Sequence, residues 1–451
     1  MRNIPIRLIA QKIGLVLEEE TFVSGYRIDS RRILPGELFF ALKGEKVDGH
    51  AFLGSVKEKG GVAAIVSKEY RGSDCGLILL RVESVEESLQ SLARSFLEES
   101  KTKVIGVTGS VGKTTTKDFI ATLLGKKFKT AKSFASYNTK LTLPMTILNL
   151  EGNEEALVLE MGMSEPGDIK RLVEIAPPDI AVLTKVALAH TAFFPGGIEE
   201  IAKGKAEVFS HPKTRFAVAA YPFFQEFGEC GISAEKVSFS LDERSADYFL
   251  GFGEGKWMVD EKGIRAYQFD LPFSQPFALH NFLAAVAVAR LMKMEWDEIN
   301  QRVLELKLPE MRFEIFENGG VTFINDAYNA NPESMRAALS SLPEPASGGK
   351  RIAVLATMKE LGSFSEREHL EVGRFAQKYA DQLLVLGEEA AGFCEGFQEV
   401  KKPAERFLDH KRLSERLKEM MSPGDVVLVK GSRSMQMEKL FEFLLAGGVK
   451  R

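Results

Sequence analysis

Short apolar segments, bounded by polar or turn-forming residues, dominate the first hundred residues of the chain. Two of them, residues 38–42 and 62–66, have the length of buried strands. A Pro-Gly turn signal at residues 35–36 stands close before the first of them. The pattern predicts a small α/β domain over residues 1–100.

A polar segment at residues 98–103 separates this region from a second one. The second region begins with the apolar run 104–107, and further apolar runs at 156–159 and 180–183 alternate with helix-like stretches. Such alternation is typical of a parallel sheet covered by helices. We therefore expect a central domain over residues 101–310.

The alternation continues after residue 310. Residues 280–292, rich in Ala and Leu at helical spacing, lead towards strand-like runs at 321–324, 352–355, 382–386 and 426–429. Helical segments lie between these runs, which predicts a Rossmann-like domain over residues 311–451. The expected fold class is α/β, with three domains.

Composition and charge exclude several functional classes. Among 451 residues, 59 Lys and Arg are balanced by 63 Asp and Glu, so the net charge of −4 argues against binding to nucleic acid. The apolar run at residues 282–289 is far shorter than the ~18 residues of a membrane span. The scattered Cys75, Cys230 and Cys394 favour a reducing compartment. We expect a cytoplasmic protein and, without any visible oligomerisation element, a monomer.

The strongest local signal is an apolar strand, a glycine-containing loop and a Lys-Thr helix start in succession. Gly109 and Gly112 let backbone amides turn towards a phosphate, and the helix presents the positive end of its dipole to the same anion. Lys113 would reach the β and γ phosphates, and the Thr114 hydroxyl would bind Mg²⁺. Because Val107 stands where the strict P-loop pattern has a glycine, a loop without a ligand is the alternative.

A triphosphate with Mg²⁺ needs oxygen ligands beyond one threonine, and Glu160 is the candidate. Glu160 follows the apolar run 156–159. Its side chain would therefore emerge at the carboxyl end of a strand, where open α/β sheets bind ligands. A solvated glutamate in a loop is the alternative interpretation.

Further motifs follow in order along the chain. They are residues 29–31, 35–39, 43–44 and 48–50 in the first domain, 108–116, 160–162, His190, 201–207, 280–281 and Arg312 towards the second boundary, and 326–332, 361–362, His369 and 429–433 in the third. With this set, the chain resembles the ATP-dependent Mur ligases of peptidoglycan precursor synthesis over essentially its whole length. The string at 326–332 is the most discriminating, and it resembles the branch that adds a dipeptide rather than those that add one amino acid, such as the tripeptide-forming and folate-glutamate ligases.

The resemblance implies a uridine-nucleotide domain, a central P-loop ATPase domain and a C-terminal Rossmann-like ligase domain. It implies that ATP phosphorylates the free carboxylate of UDP-MurNAc-tripeptide and that the amino group of D-Ala-D-Ala attacks the acyl phosphate, with ATP and Mg²⁺ as cofactors. The residues implied in ATP binding are Gly109, Ser110, Val111, Gly112, Lys113, Thr114, Thr115, Asn281, Arg312 and Asp326. Those implied in substrate binding are Ser30, Arg31, Lys43, Asp48, His50, Asn329 and Asn331.

The resemblance also implies a catalytic and metal-binding set. Catalysis is assigned to Lys113, Glu160, His190 and Lys205, and metal binding to Thr114, Glu160, His190 and a carbamylated Lys205. An ordinary lysine would repel Mg²⁺, but its neutral amine reacts with CO₂ to form a carbamate, which reverses the charge and supplies oxygen ligands. On the residues alone, Lys205 can instead be a solvated helix lysine among glutamates, and His190 a core histidine.

The segment Asn329 to Asn331 has a second interpretation of its own. Asn331 followed by Pro332 is a good helix start, with the asparagine as N-cap and the proline at the first helical position. A capping role and a ligand-binding role are compatible.

Three positions depart from the family pattern, namely Lys185, Ala187 and Thr357. Lys185 places a cation near the predicted phosphate site, where it would either repel Mg²⁺ or assist the triphosphate. The competing class is a scaffold that binds ATP without catalysis. A substitution at Lys113, Glu160 or Lys205 would favour it, and none is present.

Overall fold

The computed structural model describes residues 3–188, 191–227, 232–346 and 348–444. His190, one of the expected metal ligands, lies outside the described residues. Sheets of four, nine and six strands follow one another along the chain, with helices between the strands, and a separate two-stranded ribbon lies at the N-terminus. The predicted fold class, α/β with three domains, is confirmed.

The N-terminal sheet has four parallel strands. The strands of this region are β1 (Ile4–Pro5), β2 (Phe22–Val23), β3 (Gly25–Arg27), β4 (Glu37–Phe40), β5 (Ala63–Ser67) and β6 (Ile78–Val82), and its helices are α1 (Ile6–Lys12), α2 (Leu53–Glu58) and α3 (Val85–Glu98). The sheet order is β3-β4-β5-β6, and β1 pairs with β2 in antiparallel fashion. The two predicted apolar runs coincide with β4 and β5.

The central region carries the largest sheet. Its strands are β7 (Lys103–Thr108), β8 (Thr130–Lys132), β9 (Ala156–Glu160), β10 (Ile180–Leu183), β11 (Phe216–Ala220), β12 (Glu235–Ser240), β13 (Tyr248–Gly253), β14 (Lys256–Glu261) and β15 (Ile264–Phe269). Its helices are α4 (Lys113–Leu124), α5 (Thr142–Leu148), α6 (Asp168–Ile175), α7 (Gly197–Ala206), α8 (Tyr221–Phe227), α9 (Pro276–Leu291) and α10 (Trp296–Val303). The sheet order is β15-β14-β13-β12-β11-β10-β7-β9-β8.

Strand β7 lies between β9 and β10, both parallel to it. The chain runs to one side of β7 for β8 and β9 and then crosses to the other side for β10, so the end of β7 is a switch point of the sheet, where open α/β sheets form ligand crevices. Helix α9, apolar on all sides, is buried against α4, the helix that follows β7. The segment after β7 is thereby fixed between a sheet and a buried helix.

The edge of the central sheet differs from the simple alternation that the sequence predicts. Strands β13, β14 and β15 form an antiparallel meander. Its two connections place Glu254-Gly255 and Lys262-Gly263 at positive φ, between 51° and 79°. Positive φ at both central residues is the geometry of tight hairpin turns that match the twist of antiparallel strands. Glu-Gly and Lys-Gly are not common hairpin signals, so the sequence did not predict these turns.

The third sheet has six strands. Its strands are β16 (Glu314–Asn318), β17 (Val321–Asp326), β18 (Arg351–Ala356), β19 (Gln382–Leu386), β20 (Ala404–Phe407) and β21 (Val426–Lys430), and the helices of this region are α11 (Pro332–Ser340), α12 (Ser365–Ala376), α13 (Ala391–Gln398), α14 (His410–Met420) and α15 (Lys439–Leu444). The order is β16-β17-β21-β18-β19-β20, parallel except for β16. The domain limits 1–100, 101–310 and 311–451 remain predictions; the three large sheets lie inside them.

None of the helices in the described part of the chain is both long and apolar enough to span a bilayer.

Candidate active site

The loop between β7 and α4 is shaped as a phosphate-binding loop. Gly109 and Gly112 both have positive φ, 147° and 86°. A Cβ on Gly112 would collide with the side-chain oxygen of Asn281, so only glycine fits there. The amine of Lys113, at the start of α4, donates to the carbonyl of Gly109 at 2.8 Å. Desolvation lowers the pKa of Lys113, and the charge of Glu160 opposes this shift.

Glu160 ends β9, next to the loop. Its Oε2 accepts a hydrogen bond from the Thr114 hydroxyl at 2.9 Å, and its Oε1 accepts one from the amide nitrogen of Asn138 at 2.8 Å. Glu160 is only 1% exposed. The alternative interpretation of Glu160 as a solvated loop residue is therefore wrong.

Asn138 is a site residue that the sequence reasoning did not single out. It lies in the string of residues 136–140, where no local pattern indicates a contact with Glu160. A bond across 22 positions of sequence depends on how the segment after β8 folds back over β9, which local spacing does not specify.

Lys205 lies near the end of α7, and it is 1% exposed, whereas Lys203 on the same helix is exposed. In the part of the chain that the structure describes, the Lys205 amine has no carboxylate partner. Desolvation lowers the pKa of Lys205 well below its usual value, and the positive charge of Lys113 lowers it further. The interpretation of Lys205 as a solvated, ion-paired helix lysine is wrong.

Two cavities meet at the loop. One, of about 630 Å³, is called here the apolar cavity. It is lined by Val111, Gly112, Thr115, Leu183, Phe223, Phe239, Leu241, Phe277, His280, Asn281, Arg312, Asp326 and further residues of the central and C-terminal regions. Desolvation lowers the pKa of His280 to about 4, so a neutral imidazole faces this space at neutral pH.

The second, of about 510 Å³, is called the polar cavity. Its lining includes Ser110, Val111, Gly112, Lys113, Thr114, Ser136, Asn138, Glu160, Asp168, Arg312, Tyr328, Asn329, Asn331 and Arg433. Val111, Gly112 and Arg312 contribute to both cavities. The phosphate loop is therefore the wall that the two cavities share, although Gly109 itself lines neither of them.

The C-terminal region closes the polar cavity from the opposite side. The hydroxyl of Tyr328 donates to the Oγ of Ser136 at 2.6 Å, and the Arg312 guanidinium lies 4.0 Å from the centre of the Tyr328 ring. The buried amine of Lys430 contacts Asp326 Oδ2 at 2.6 Å and the carbonyl of Asn329 at 3.0 Å. The Tyr328 to Ser136 bond joins the segment after β17 to the central region, and the Lys430 contacts fix that segment to β21 of its own sheet.

Asn331 is the N-cap of α11, as predicted. Its side-chain oxygen accepts from the backbone amide of Ser334 at 2.8 Å, and Pro332 follows at the start of the helix. Asn331 also lines the polar cavity. Capping and cavity lining are thus present together.

The departures from the family pattern are structurally accommodated. The Lys185 amine forms an ion pair with Glu333 of α11, so its charge is neutralised across the two domains. Ala187 donates its backbone N–H to the Ser110 hydroxyl at 3.0 Å. Thr357 is buried at the end of β18, and its carbonyl accepts from Ser432 N–H.

A separate cavity of about 470 Å³ lies in the N-terminal region and includes Lys43, Asp48 and His50 in its lining. His50 is fixed through both ring nitrogens, since Nδ1 contacts Asp48 at 2.6 Å and Nε2 accepts from Ser67 N–H at 3.0 Å. Ser30 and Arg31, expected to bind the same substrate, do not line this cavity. The Lys59 amine donates to both of their carbonyls.

A phosphate loop at a sheet switch point, with a buried carboxylate beside its threonine, defines the general class of P-loop nucleotide-using proteins. Comparison with known proteins is more specific. The description "Mur ligase family, catalytic domain" matches residues 22–97, "Mur ligase middle domain" matches residues 107–289, and "Mur ligase, glutamate ligase domain" matches residues 311–433.

Full-length relatives agree with these matches. The UDP-N-acetylmuramoyl-tripeptide–D-alanyl-D-alanine ligase of Bacillus subtilis is 32% identical, covering 95% of this chain and 94% of its own. The ligase of the same name from Escherichia coli is 30% identical over 93% of each chain. The crystal structure of a MurF ligase from Thermotoga maritima in complex with ADP is 33% identical with a TM-score of 0.80, covering 93% of this chain and 96% of its own.

A MurF structure from Acinetobacter baumannii is 27% identical with a TM-score of 0.88, covering 99% of each chain. The chain belongs to the Mur ligase family.

Proposed function

We propose that this chain is an ATP-dependent amide ligase that joins D-Ala-D-Ala to UDP-MurNAc-tripeptide and releases UDP-MurNAc-pentapeptide, ADP and phosphate. The observation that carries the proposal is the polar cavity, where the phosphate loop, Glu160 and the segment Asn329 to Asn331 face one space. Its support from comparison is the nearly full-length similarity to relatives that bear this ligase name. ATP and nucleotide-linked precursors are cytoplasmic metabolites, and we propose that compartment for the reaction.

We propose one orientation for ATP in the paired cavities. The apolar cavity offers aromatic and aliphatic side chains, with Phe239 and Phe277 among them, to an adenine ring. Asn281, Arg312 and Asp326 are the polar groups there that would contact the nucleotide. The triphosphate would then follow the loop from Val111 through Thr115, so that its γ-phosphate reaches the polar cavity.

The donor set beside the loop fits Mg²⁺ only in part. Thr114 and Glu160 supply a hydroxyl and a carboxylate, which are hard oxygen donors. In the part of the chain that the structure describes, no group of three or more His, Cys, Asp and Glu side chains could hold a metal. Phosphate oxygens and water would complete the shell, as is usual for Mg²⁺. When bound, the ion would neutralise charge on the triphosphate.

Lys205 is the second group proposed at this site, as a carbamate. A neutral amine attacks the carbon of CO₂ to form an N-carboxylate, and one proton is released. Burial favours the neutral amine of Lys205 by lowering its pKa, and Lys113 nearby would pair with the resulting negative charge. His190 is retained in the proposal as a further metal ligand on the basis of the family resemblance alone.

The residues then act mainly by placing charges. A carboxylate oxygen of the tripeptide attacks the γ-phosphorus, and ADP leaves with the electrons of the broken P–O bond. Lys113 and Arg312 neutralise the two anions that must meet. The dipeptide amine next attacks the acyl carbon and gives up one proton to solvent. The C–O bond to phosphate then breaks as the tetrahedral intermediate collapses. The Tyr328 to Ser136 contact would shield the acyl phosphate from water.

The test is ATP-dependent phosphate release with UDP-MurNAc-tripeptide and either D-Ala-D-Ala, D-Ala or no amine, with product masses measured. Both the meso-diaminopimelate and the lysine form of the tripeptide are offered. We expect full release only with the dipeptide, and a product heavier by one dipeptide minus water. Release with D-Ala alone would favour a ligase of single amino acids. ATP binding without coupling to either amine would favour the scaffold alternative.

The N-terminal cavity is proposed to bind the nucleotide end of the tripeptide substrate, with Lys43, Asp48 and His50 as contacts and with Ser30 and Arg31 beside it. We expect His50→Ala to raise the KM for UDP-MurNAc-tripeptide roughly tenfold, with kcat within twofold of the wild type, because a contact distant from the reacting carboxylate contributes equally to ground and transition states. Steady-state kinetics measure both constants. His211→Ala, which changes a histidine outside every cavity described above, is the control. A fall in kcat with unchanged KM would contradict this assignment.

A further inference from the structure

One lysine of the phosphate-loop helix does not face either cavity. Lys117 lies one turn after Lys113 on α4, and its side chain is only 2% exposed. Its amine donates to the backbone carbonyls of Ser133 at 3.1 Å and Ala135 at 2.6 Å. Asp118, its acidic neighbour, is 3.4 Å away. Burying an ammonium group is unfavourable unless its hydrogen bonds are satisfied, and both of these bonds go to the segment that follows β8.

That segment, residues 133–138, holds Glu160 from two directions. The buried hydroxyl of Ser133 accepts the backbone N–H of Glu160 at 3.0 Å. Asn138, at the other end of the segment, donates to the Glu160 carboxylate at 2.8 Å. The position of the carboxylate therefore depends on the path of the segment 133–138.

The path of this segment is not one that the backbone adopts freely. Ala135 has a φ of 45°, in the left-handed region that non-glycine residues seldom occupy. Its carbonyl is the nearer of the two that Lys117 contacts. Such a conformation persists only where the surrounding structure holds it, and the hydrogen bond from Lys117 to the Ala135 carbonyl is one such restraint.

We infer that Lys117 is a positioning residue for the metal-binding carboxylate: it ties the phosphate-loop helix to the segment 133–138 and thereby fixes Glu160 beside Thr114. The inference rests on the proposed function, in which Glu160 and Thr114 bind Mg²⁺. Groups that orient a metal ligand without touching the metal commonly change metal affinity or activity by roughly 10- to 100-fold when they are removed.

Lys117→Met keeps the length of the side chain and removes the donor. We expect that the affinity for ATP without metal stays within about twofold of the wild type, and that the enhancement of ATP affinity by Mg²⁺ falls roughly tenfold. Calorimetric titration with ATP in EDTA and in a series of MgCl₂ concentrations measures both quantities without any turnover. The Mg²⁺ concentration for half-maximal ligation should rise by a similar factor, while the KM for D-Ala-D-Ala does not change.

Lys132→Met is the matched control. Lys132 contacts the same Asp118 at 2.7 Å and stands next to Ser133 in the chain, but its side chain is half-exposed and does not contact the segment carbonyls. It should leave the Mg²⁺ dependence unaltered. Ser133→Ala is the second variant in case Lys117→Met does not fold; it removes the hydroxyl that holds Glu160 and should weaken the Mg²⁺ enhancement in the same direction.

The possible results distinguish failure of the proposed metal site from failure of the role given to Lys117. If the wild type gains no ATP affinity from Mg²⁺, the proposed metal site fails, and this inference fails with it. If the wild type does gain affinity and a folded Lys117→Met variant gains as much, only the inference is overturned. If Lys117→Met does not fold, an undiminished gain in Ser133→Ala overturns it instead. A variant with reduced kcat or stability but an unchanged Mg²⁺ dependence would likewise show Lys117 to be merely structural.

Discussion

Lys113→Met is expected to lower kcat for ligation by roughly 10³-fold, the largest effect of any single change at this site. Lys113 is the cation at the start of α4 that faces the polar cavity, and its amine now bonds to the loop carbonyl of Gly109. Phosphoryl transfer brings two anions together, and a fixed cation in a water-poor cleft stabilises the charge far better than it would in water. Single-turnover phosphate release from ATP measures the effect on chemistry directly.

The fold should survive this change. Desolvation already disfavours the charged amine, so a methionine in its place is not expected to lower the midpoint of thermal unfolding. Lys126→Met, at an exposed position just beyond the end of α4, is the control and should retain full activity. A Lys113→Met enzyme within tenfold of the wild type would contradict the assignment of the loop as the triphosphate site.

Lys205→Arg is expected to lower kcat roughly 100-fold, because arginine keeps the positive charge but cannot form a carbamate. Wild-type enzyme freed of CO₂ should lose activity and regain it on addition of bicarbonate. Burial lowers the pKa of Lys205, so its amine is neutral at lower pH than the amine of an exposed lysine. Only the neutral amine reacts with CO₂, so burial favours the carbamate. With ¹³C-labelled bicarbonate, NMR should detect a carbamate carbon in the wild type only.

The chain offers a matched control for this experiment. Lys203→Arg makes the same exchange two residues earlier on α7, at an exposed position, and should change neither activity nor the labelled signal. Full activity of Lys205→Arg, or a wild type insensitive to CO₂, would rule out the carbamate. The buried lysine would then have to be explained by packing alone.

The local features of the site could be predicted from the sequence. The sequence predicted a strand, a loop and a helix around Gly112, and it predicted that Glu160 follows a strand. The structure has β7 and α4 on either side of the loop, and β9 ends at Glu160. The capping role of Asn331 was predicted as well. In each case the signal is local, because a few consecutive residues carry the turn, the apolar run or the cap.

The features that the sequence did not predict depend on uncommon turn residues or on contacts between distant segments. The antiparallel meander β13 to β15 was not anticipated, because its turns use Glu-Gly and Lys-Gly rather than the commoner Asn-Gly signal. Lys117 is in a helix that the sequence did predict, yet nothing in its neighbours indicates that its amine reaches carbonyls 16 and 18 residues away. The two interpretations left open for Lys205 could be separated only by its burial.

Apart from the β13 to β15 meander, the sequence by itself determined the alternation of strands and helices, the phosphate-loop shape and the family of this chain, because these depend on the types of neighbouring residues and on apolar periodicity. Tertiary structure decided which charges are desolvated and which distant groups meet: Asn138 with Glu160, Tyr328 with Ser136, and Lys205 in a space without a carboxylate among the described residues. The physical reason is that the free energy of a charge depends on its surroundings in space, which are assembled from segments far apart in the chain.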